Sequence, residues 1–132
     1  MNTPSSSRRR VYPAGTPLFH EGEPGMEAYI VEYGLVSVYK TVKGKRVVLG
    51  EVGQGGIFGE MALIDDQPRM ASAVTLEETA CVVVAKQRLW DQLELAPKGV
   101  RVILSALLGN IRLMGSELAE ARVLLAAGEA VE

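Results

Sequence analysis

The stretch Gly53-Gln54-Gly55-Gly56-Ile57-Phe58-Gly59-Glu60-Met61-Ala62-Leu63-Ile64, continued by Asp65-Asp66-Gln67-Pro68-Arg69-Met70-Ala71-Ser72-Ala73-Val74, decides how the rest of the chain is read. Glycines that open onto a short helical run leave backbone N–H groups without acceptors in the chain. These converge at the helix N-terminus, where the dipole also favours negative charge. A phosphate fits there. Arg69, arriving from the strand that follows, adds a fixed positive charge and a planar fork matched to two phosphate oxygens. Such a charge-assisted contact is worth about 1.5 to 3 kcal/mol. Glu60 is repelled by a neighbouring phosphate unless it accepts a hydrogen bond from the ligand, and a ribose hydroxyl is such a donor. Two plainer readings stand beside this one: a tight structural loop, and an internal ion pair between Glu60 and Arg69.

Upstream, from Val11 to about Leu49, Gly or Pro interrupts the chain every few residues, and the pieces between are rich in β-branched and aromatic residues. That is the pattern of strands and turns. Leu18-Phe19-His20 leads into the turn Glu21-Gly22-Glu23-Pro24-Gly25, and Ala28 to Tyr33 alternates as a strand. Gly34 turns the chain into Leu35-Val36-Ser37-Val38-Tyr39, and Lys43-Gly44-Lys45 makes a hairpin into Arg46-Val47-Val48-Leu49. Downstream, Ser72 to Leu76 and Ala80 to Ala85 read as strands separated by Glu77-Glu78-Thr79. Seven or eight strands at such spacing, roughly, predict a mainly β sandwich, roll or barrel.

Beyond Lys86 turn residues thin out and Leu, Ala, Arg and Glu dominate. Lys86 to Leu95 reads as a first helix, and Pro97 suits the opening of a second, where a missing N–H costs nothing. In that second helix Leu104, Ile111, Leu118 and Leu125 recur at heptad spacing, with Leu107, Met114 and Ala121 filling the alternate positions. From about Val100 to Ala127 the helix runs roughly 40 Å, longer than the domain's own surface covers. Part of this seam is expected to meet a second copy, giving a homodimer; the alternative is a helix folded entirely back on the body, with Gly109 and Gly115 weakening a straight rod.

The bulk properties narrow the function. The chain has 132 residues, enough for one domain with a core, and its 14 basic and 16 acidic residues are spread without a field of one sign. A polyanion is therefore not expected as the main partner. Cys81, the one cysteine, lies in an apolar run and reads as a buried small hydrophobe, which suits a reducing cytoplasm. Residues 1–10, with Ser5-Ser6-Ser7-Arg8-Arg9-Arg10, read as a solvated, disordered tail rather than a signal peptide, and no membrane-spanning run is expected. The organisation expected is thus a tail over 1–10, a body with its first closing helix over 11–96, and a long helix over 97–132.

Phe58-Gly59-Glu60-Met61-Ala62-Leu63, a short acidic loop, and Pro68-Arg69-Met70-Ala71-Ser72 together resemble the phosphate-binding cassette of the cyclic nucleotide-binding domain family, which includes catabolite activator proteins, kinase regulatory subunits and cyclic nucleotide-gated channels. Tyr12-Pro13-Ala14-Gly15-Thr16 and Glu21-Gly22-Glu23-Pro24-Gly25 resemble the family's opening strands, and the two closing helices its usual ending. The resemblance implies an eight-stranded β-roll of the double-stranded β-helix type, with a short phosphate-binding helix and C-terminal helices. It implies further that Glu60 holds the ribose 2′-hydroxyl and Arg69 the cyclic phosphate, with backbone N–H groups near Gly59, Met61, Ala62 and Ala71 completing the shell. Phe58 is assigned to packing and Ala62, Leu63 and Ile64 to the underside of the small helix; Ser72 either reaches toward the base edge or is bonded to backbone, as a strand hydroxyl often is.

One departure bears on the ligand. Members that prefer cyclic GMP place a Thr hydroxyl after the arginine, and this chain has Met70, which tilts the expectation toward cyclic AMP. A bulky Met70 also allows a degenerate scaffold or dimerisation adaptor in which that side chain fills the pocket. His20 stands alone, so neither a cupin-like metal centre nor a Ser/His/Asp or Cys/His catalytic set can be assembled; no enzymatic activity, metal or cofactor is expected. The chain stops at Glu132 without a helix-turn-helix, so direct DNA reading is not expected. The mechanism implied is a ligand-gated switch. Phosphate orders the cassette, the closing helices cover the base, and the position of the long helix is the output, toward a second copy or a protein effector.

Overall fold

The computed structural model describes the backbone of residues 7–131. Eight strands come in chain order as β1 (Ser7–Tyr12), β2 (Pro17–Phe19), β3 (Glu27–Tyr33), β4 (Val36–Val42), β5 (Lys45–Val52), β6 (Ile57–Phe58), β7 (Ser72–Thr75) and β8 (Thr79–Ala85). Three helices accompany them: α1 (Met61–Asp65) between β6 and β7, then α2 (Lys86–Glu94) and α3 (Lys98–Val131). The strands form two antiparallel four-stranded sheets, ordered β1-β8-β3-β6 and β2-β7-β4-β5. This is the expected mainly β roll.

Local chemistry sets the turns. Lys43 and Gly44 take φ of 53° and 77°, the two-residue hairpin geometry whose twist matches the flanking strands, and Val42 faces Lys45 across it. Where the two sheets face each other, Tyr29, Val31, Phe58, Cys81 and Val83 from one meet Val36 and Ala73 from the other. Cys81 is fully buried, as its apolar run predicts. Thr75 and Thr79 are buried as well, and both hydroxyls are satisfied: Thr75 Oγ1 donates to Pro13 O at 2.8 Å and Thr79 Oγ1 to Glu77 O at 2.9 Å.

The tail expected over 1–10 is corrected at its C-terminal end. Residues 7–10 belong to β1, with Arg8 opposite Val83, Arg9 opposite Val82 and Arg10 opposite Cys81. The arginines are compatible with an edge strand because their long stems cross the sheet surface to acidic partners on β3, Arg9 to Glu32 at 2.8 Å and Arg10 to Glu27 at 3.1 Å. Residues 1–6 lie outside the described residues.

The closing helices dock through a few defined contacts. Trp90 on α2 donates its indole N–H to Leu63 O at 2.7 Å, joining α2 to α1. On α3 the docked face carries Leu108 and Ala119, both buried, with Leu104, Arg112 and Gly115 half-buried on the same stripe. Of the heptad seam, Leu104 falls on this docked stripe, whereas Leu107, Met114, Leu118 and Leu125 lie on a different face, between 40% and 67% exposed, and the roll does not cover them. Gly109 and Gly115 do not interrupt the helix.

The expectation that no run is of membrane-spanning length is also corrected. Lys98–Leu125 of α3 is long and apolar enough to cross a membrane by length and composition, with a mean hydropathy of 1.3 over its most apolar window. The charges Arg101, Arg112, Glu117, Glu120 and Arg122 are spaced widely enough that such a window contains few of them. In the fold this helix lies against the roll, with Arg112 in an ion pair and Arg122 donating to Val48 O.

Candidate functional site

The glycine-rich turn brings β6 into α1 as the sequence predicts. Gly59 has φ of +81°, a left-handed conformation that a side chain resists, and a Cβ there would stand 2.9 Å from Arg69 Nη1 and 3.2 Å from the Phe19 ring. Leu63 and Ile64 both donate to Glu60 O at 3.1 Å. Ahead of them the N–H groups of Met61 and Ala62 have no backbone acceptor among the described residues, and both residues line a cavity of about 300 Å³.

Arg69 is held just before β7 rather than on it. Its own N–H donates to Glu23 O at 2.8 Å and its carbonyl accepts from Gly22 N at 2.9 Å, so the Glu21–Gly25 turn clasps its backbone. The side chain is only 5% exposed and lies 4.0 Å over the Phe19 ring, which stacks in turn against Tyr29. Nη1 donates to Gly59 O at 2.6 Å and Nη2 to Glu27 O at 2.7 Å, while Nε is buried with no acceptor among the described residues. Gly25 makes room for this placement: a Cβ there would sit 2.6 Å from Ala62 Cβ and 3.2 Å from Arg69 Cζ.

Glu60 precedes α1 without a side-chain capping bond, and its Oε2 is likewise buried with no donor among the described residues. Among the described residues no ion pair joins it to Arg69, which disposes of the internal-pair reading. Burial pushes the Glu60 carboxyl up from its ordinary value, offset in part by its own backbone N–H and by Arg69. Burial likewise lowers Arg69, against the pull of Tyr29, Glu27, Glu23 and Glu60. Glu60 and Arg69 thus both line the cavity, and each has one desolvated side-chain atom, Oε2 and Nε, unmatched among the described residues.

Gly59, Glu60, Met61, Ala62, Arg69, Met70 and Ala71 all line this cavity. Ser72 does not, and of its two readings the backbone-bonded one holds here: it is buried on β7, where its hydroxyl accepts the Glu21 N–H at 2.9 Å and ties that turn to the strand. Phe58 combines both roles, packing 4.9 Å from Tyr29 while bordering the cavity. Met70 is in the wall and the cavity stays open beside it, with the Met70 methyl seated at Gly115 of α3, where a Cβ would overlap it. His20 is exposed beside Glu23, and no metal-ligating cluster occurs among the described residues.

Sequence reasoning missed part of the cavity lining, Val38 of β4, Leu49 of β5 and, as a cavity residue, Ile111 of α3. Alternating apolar residues on β4 and β5 signal a buried face, but which of them border a cavity follows from the pairing of the sheets. Gly25 was legible only as a turn residue. Its second duty, leaving space for an arginine at a distance of 44 positions, has no local signal.

Residues 9–95 match the family model for the cyclic nucleotide-binding domain. The cyclic AMP receptor protein of Thermus thermophilus is 38% identical over 81 residues, which cover 61% of this chain and 38% of that protein. The CRP-like cAMP-activated global transcriptional regulator of Mycobacterium tuberculosis is 30% identical over 110 residues, covering 83% of this chain and 49% of that one. Among solved structures, the cAMP-bound form of the EAL enzyme Bd1971 superposes with a TM-score of 0.78 at 34% identity, over 94% of this chain and 34% of that one. Its cGMP-bound form gives 0.77 at 37% identity, over 80% and 28%. The chain spans less than half the length of these relatives. Fold, cassette and comparison agree, and the chain belongs to the cyclic nucleotide-binding domain family.

Proposed function

We propose that the chain binds a cyclic nucleotide, cyclic AMP in preference to cyclic GMP, and passes its occupancy to α3, whose exposed seam then pairs with a second copy or docks on a protein effector. The observation that carries this reading is the pair of unmatched atoms, Glu60 Oε2 and Arg69 Nε, buried at one cavity without pairing to each other. An unmatched buried donor or acceptor costs about 1 to 3 kcal/mol. A cyclic nucleotide supplies both complements, an anionic phosphate for Arg69 and a ribose hydroxyl for Glu60. The apolar end formed by Val38, Leu49, Met70 and Ile111 suits a purine face.

The preference for adenine rests on Met70, which offers no hydroxyl to a guanine edge. The related EAL enzyme has been solved with cyclic AMP and with cyclic GMP, so the two ligands have to be compared directly. Calorimetric titration with each is the test. Tighter binding of cyclic AMP is the expected result. No heat and no thermal shift with either nucleotide defeats the sensing role and leaves a dimerisation scaffold.

A further inference from the structure

Arg112 of α3 spends its whole fork on one loop. Nε donates to Asp65 Oδ2 at 2.6 Å, Nη2 to Asp65 Oδ1 at 2.9 Å, and Nη1 to Pro68 O at 2.8 Å. Asp65 ends α1 and Pro68 immediately precedes Arg69, so a single side chain ties both ends of the segment that delivers the arginine of the cavity. The pair is well shielded, with side-chain exposures of 19% for Arg112 and 8% for Asp65. On the other side of Arg69, the Met70 methyl sits at Gly115, three residues along α3 from Arg112.

We propose that Arg112 is a positioning residue for the nucleotide site: by clasping Asp65 and Pro68 it makes the placement of Arg69 depend on the docking of α3, with the Met70 seat at Gly115 as a second clasp. This deepens the cyclic nucleotide reading and rests on it. Removing α3 from the roll breaks the fork and unseats Met70 together, and uncovers the Asp65 carboxylate that Arg112 shields. Coupling of this kind is reciprocal, so a ligand that holds Arg69 in place also favours the docked helix. The helix thus acts on the phosphate end of the cavity as well as on the base end, where Ile111 lies.

The test compares the full chain with Arg112→Gln and with the charge-exchanged pair Asp65→Arg/Arg112→Glu, reading cyclic AMP affinity by calorimetry, amide exchange along residues 104–119, and thermal unfolding. Arg112→Gln is expected to keep cooperative unfolding, to weaken cyclic AMP by about tenfold or more, within the usual range of coupling between sites, and to speed exchange in α3. The exchanged pair is expected to recover part of both losses, which a general loss of stability does not do. Gly115→Leu is a second variant, because it raises helix propensity while expelling Met70 from its seat, so weaker binding there cannot arise from a weaker helix. If the wild type binds cyclic AMP and both variants bind it equally well, the clasp is overturned and the cavity assignment stands. If the wild type binds no cyclic nucleotide, the cavity assignment fails and takes the clasp with it.

Discussion

Glu60 and Arg69 border the same cavity and make no ion pair with each other: Arg69 is turned to the carbonyls of Gly59 and Glu27, at 2.6 Å and 2.7 Å, while Glu60 Oε2 has no donor among the described residues. Two opposite charges at one desolvated site ordinarily pair with each other. Their separation leaves each available to a different part of a ligand, and it has measurable consequences.

Arg69→Ala is expected to weaken cyclic AMP by about tenfold to a hundredfold or more, the equivalent of one charge-assisted contact of about 1.5 to 3 kcal/mol. Arg69→Lys should recover little, since an ammonium cannot reproduce the fork that spans Gly59 and Glu27 and still face the cavity. Calorimetry decides; unchanged affinity in Arg69→Ala means the phosphate is held elsewhere.

Glu60 predicts a pH dependence. Its folded carboxyl titrates above the ordinary value of 4.5 because burial disfavours the charged form. The contribution to stability is therefore complete below the unfolded pKa and is lost as pH rises through the folded one. Thermal melts of the ligand-free protein should show stability falling over that window in the wild type, and Glu60→Gln should flatten the fall while weakening cyclic AMP. A melt profile identical in the two proteins contradicts the assignment.

Gly55 and Gly59 offer a matched pair. Their φ angles are +82° and +81°, so alanine meets the same backbone strain at both, about 1 to 2 kcal/mol. Only at Gly59 does the added methyl press on Arg69 and Phe19; at Gly55 nothing lies within 4 Å. Both variants should melt at lower temperature, but only Gly59→Ala should lose nucleotide affinity. Equal affinities in the two variants would sink the claim that Gly59 is needed to place Arg69.

The seam on α3 predicts self-association. Met114 and Leu118 are 58% and 40% exposed on the heptad face, whereas Leu113, 59% exposed, points to another side of the helix. Met114→Glu should weaken a dimer by at least about a hundredfold, as a charge forced into an apolar contact does. Leu113→Glu should leave it intact. Sedimentation equilibrium reads the difference, and a wild type that stays monomeric at high concentration removes the seam as a self-contact.

Much of this protein is local chemistry and was open to reading along the chain. Gly59 and the hairpin at Lys43-Gly44 announce turns because only certain residues tolerate positive φ, and alternation through β3, β4 and β8 announces strands with a buried face. Glu60 and Arg69 stand out because charges flanking a glycine-rich turn and a short helix have few structural uses. What depends on distant parts of the chain was not legible. Three consecutive arginines read as a solvated tail until β8 offers Arg8 to Arg10 a strand to pair with and β3 offers Glu27 and Glu32. Ser72 reads equally as a ligand contact or a backbone-bonded hydroxyl until the Glu21 N–H claims it. Heptad spacing finds an apolar stripe on α3, but it does not say which face docks, and the roll takes the face of Leu108, Arg112, Gly115 and Ala119 instead. The physical reason is the same in each case: periodicity and turn chemistry are properties of neighbours in sequence, whereas the clasp of Arg112 on Asp65, the seat of Met70 at Gly115 and the space Gly25 leaves for Arg69 exist only once remote segments have been packed together.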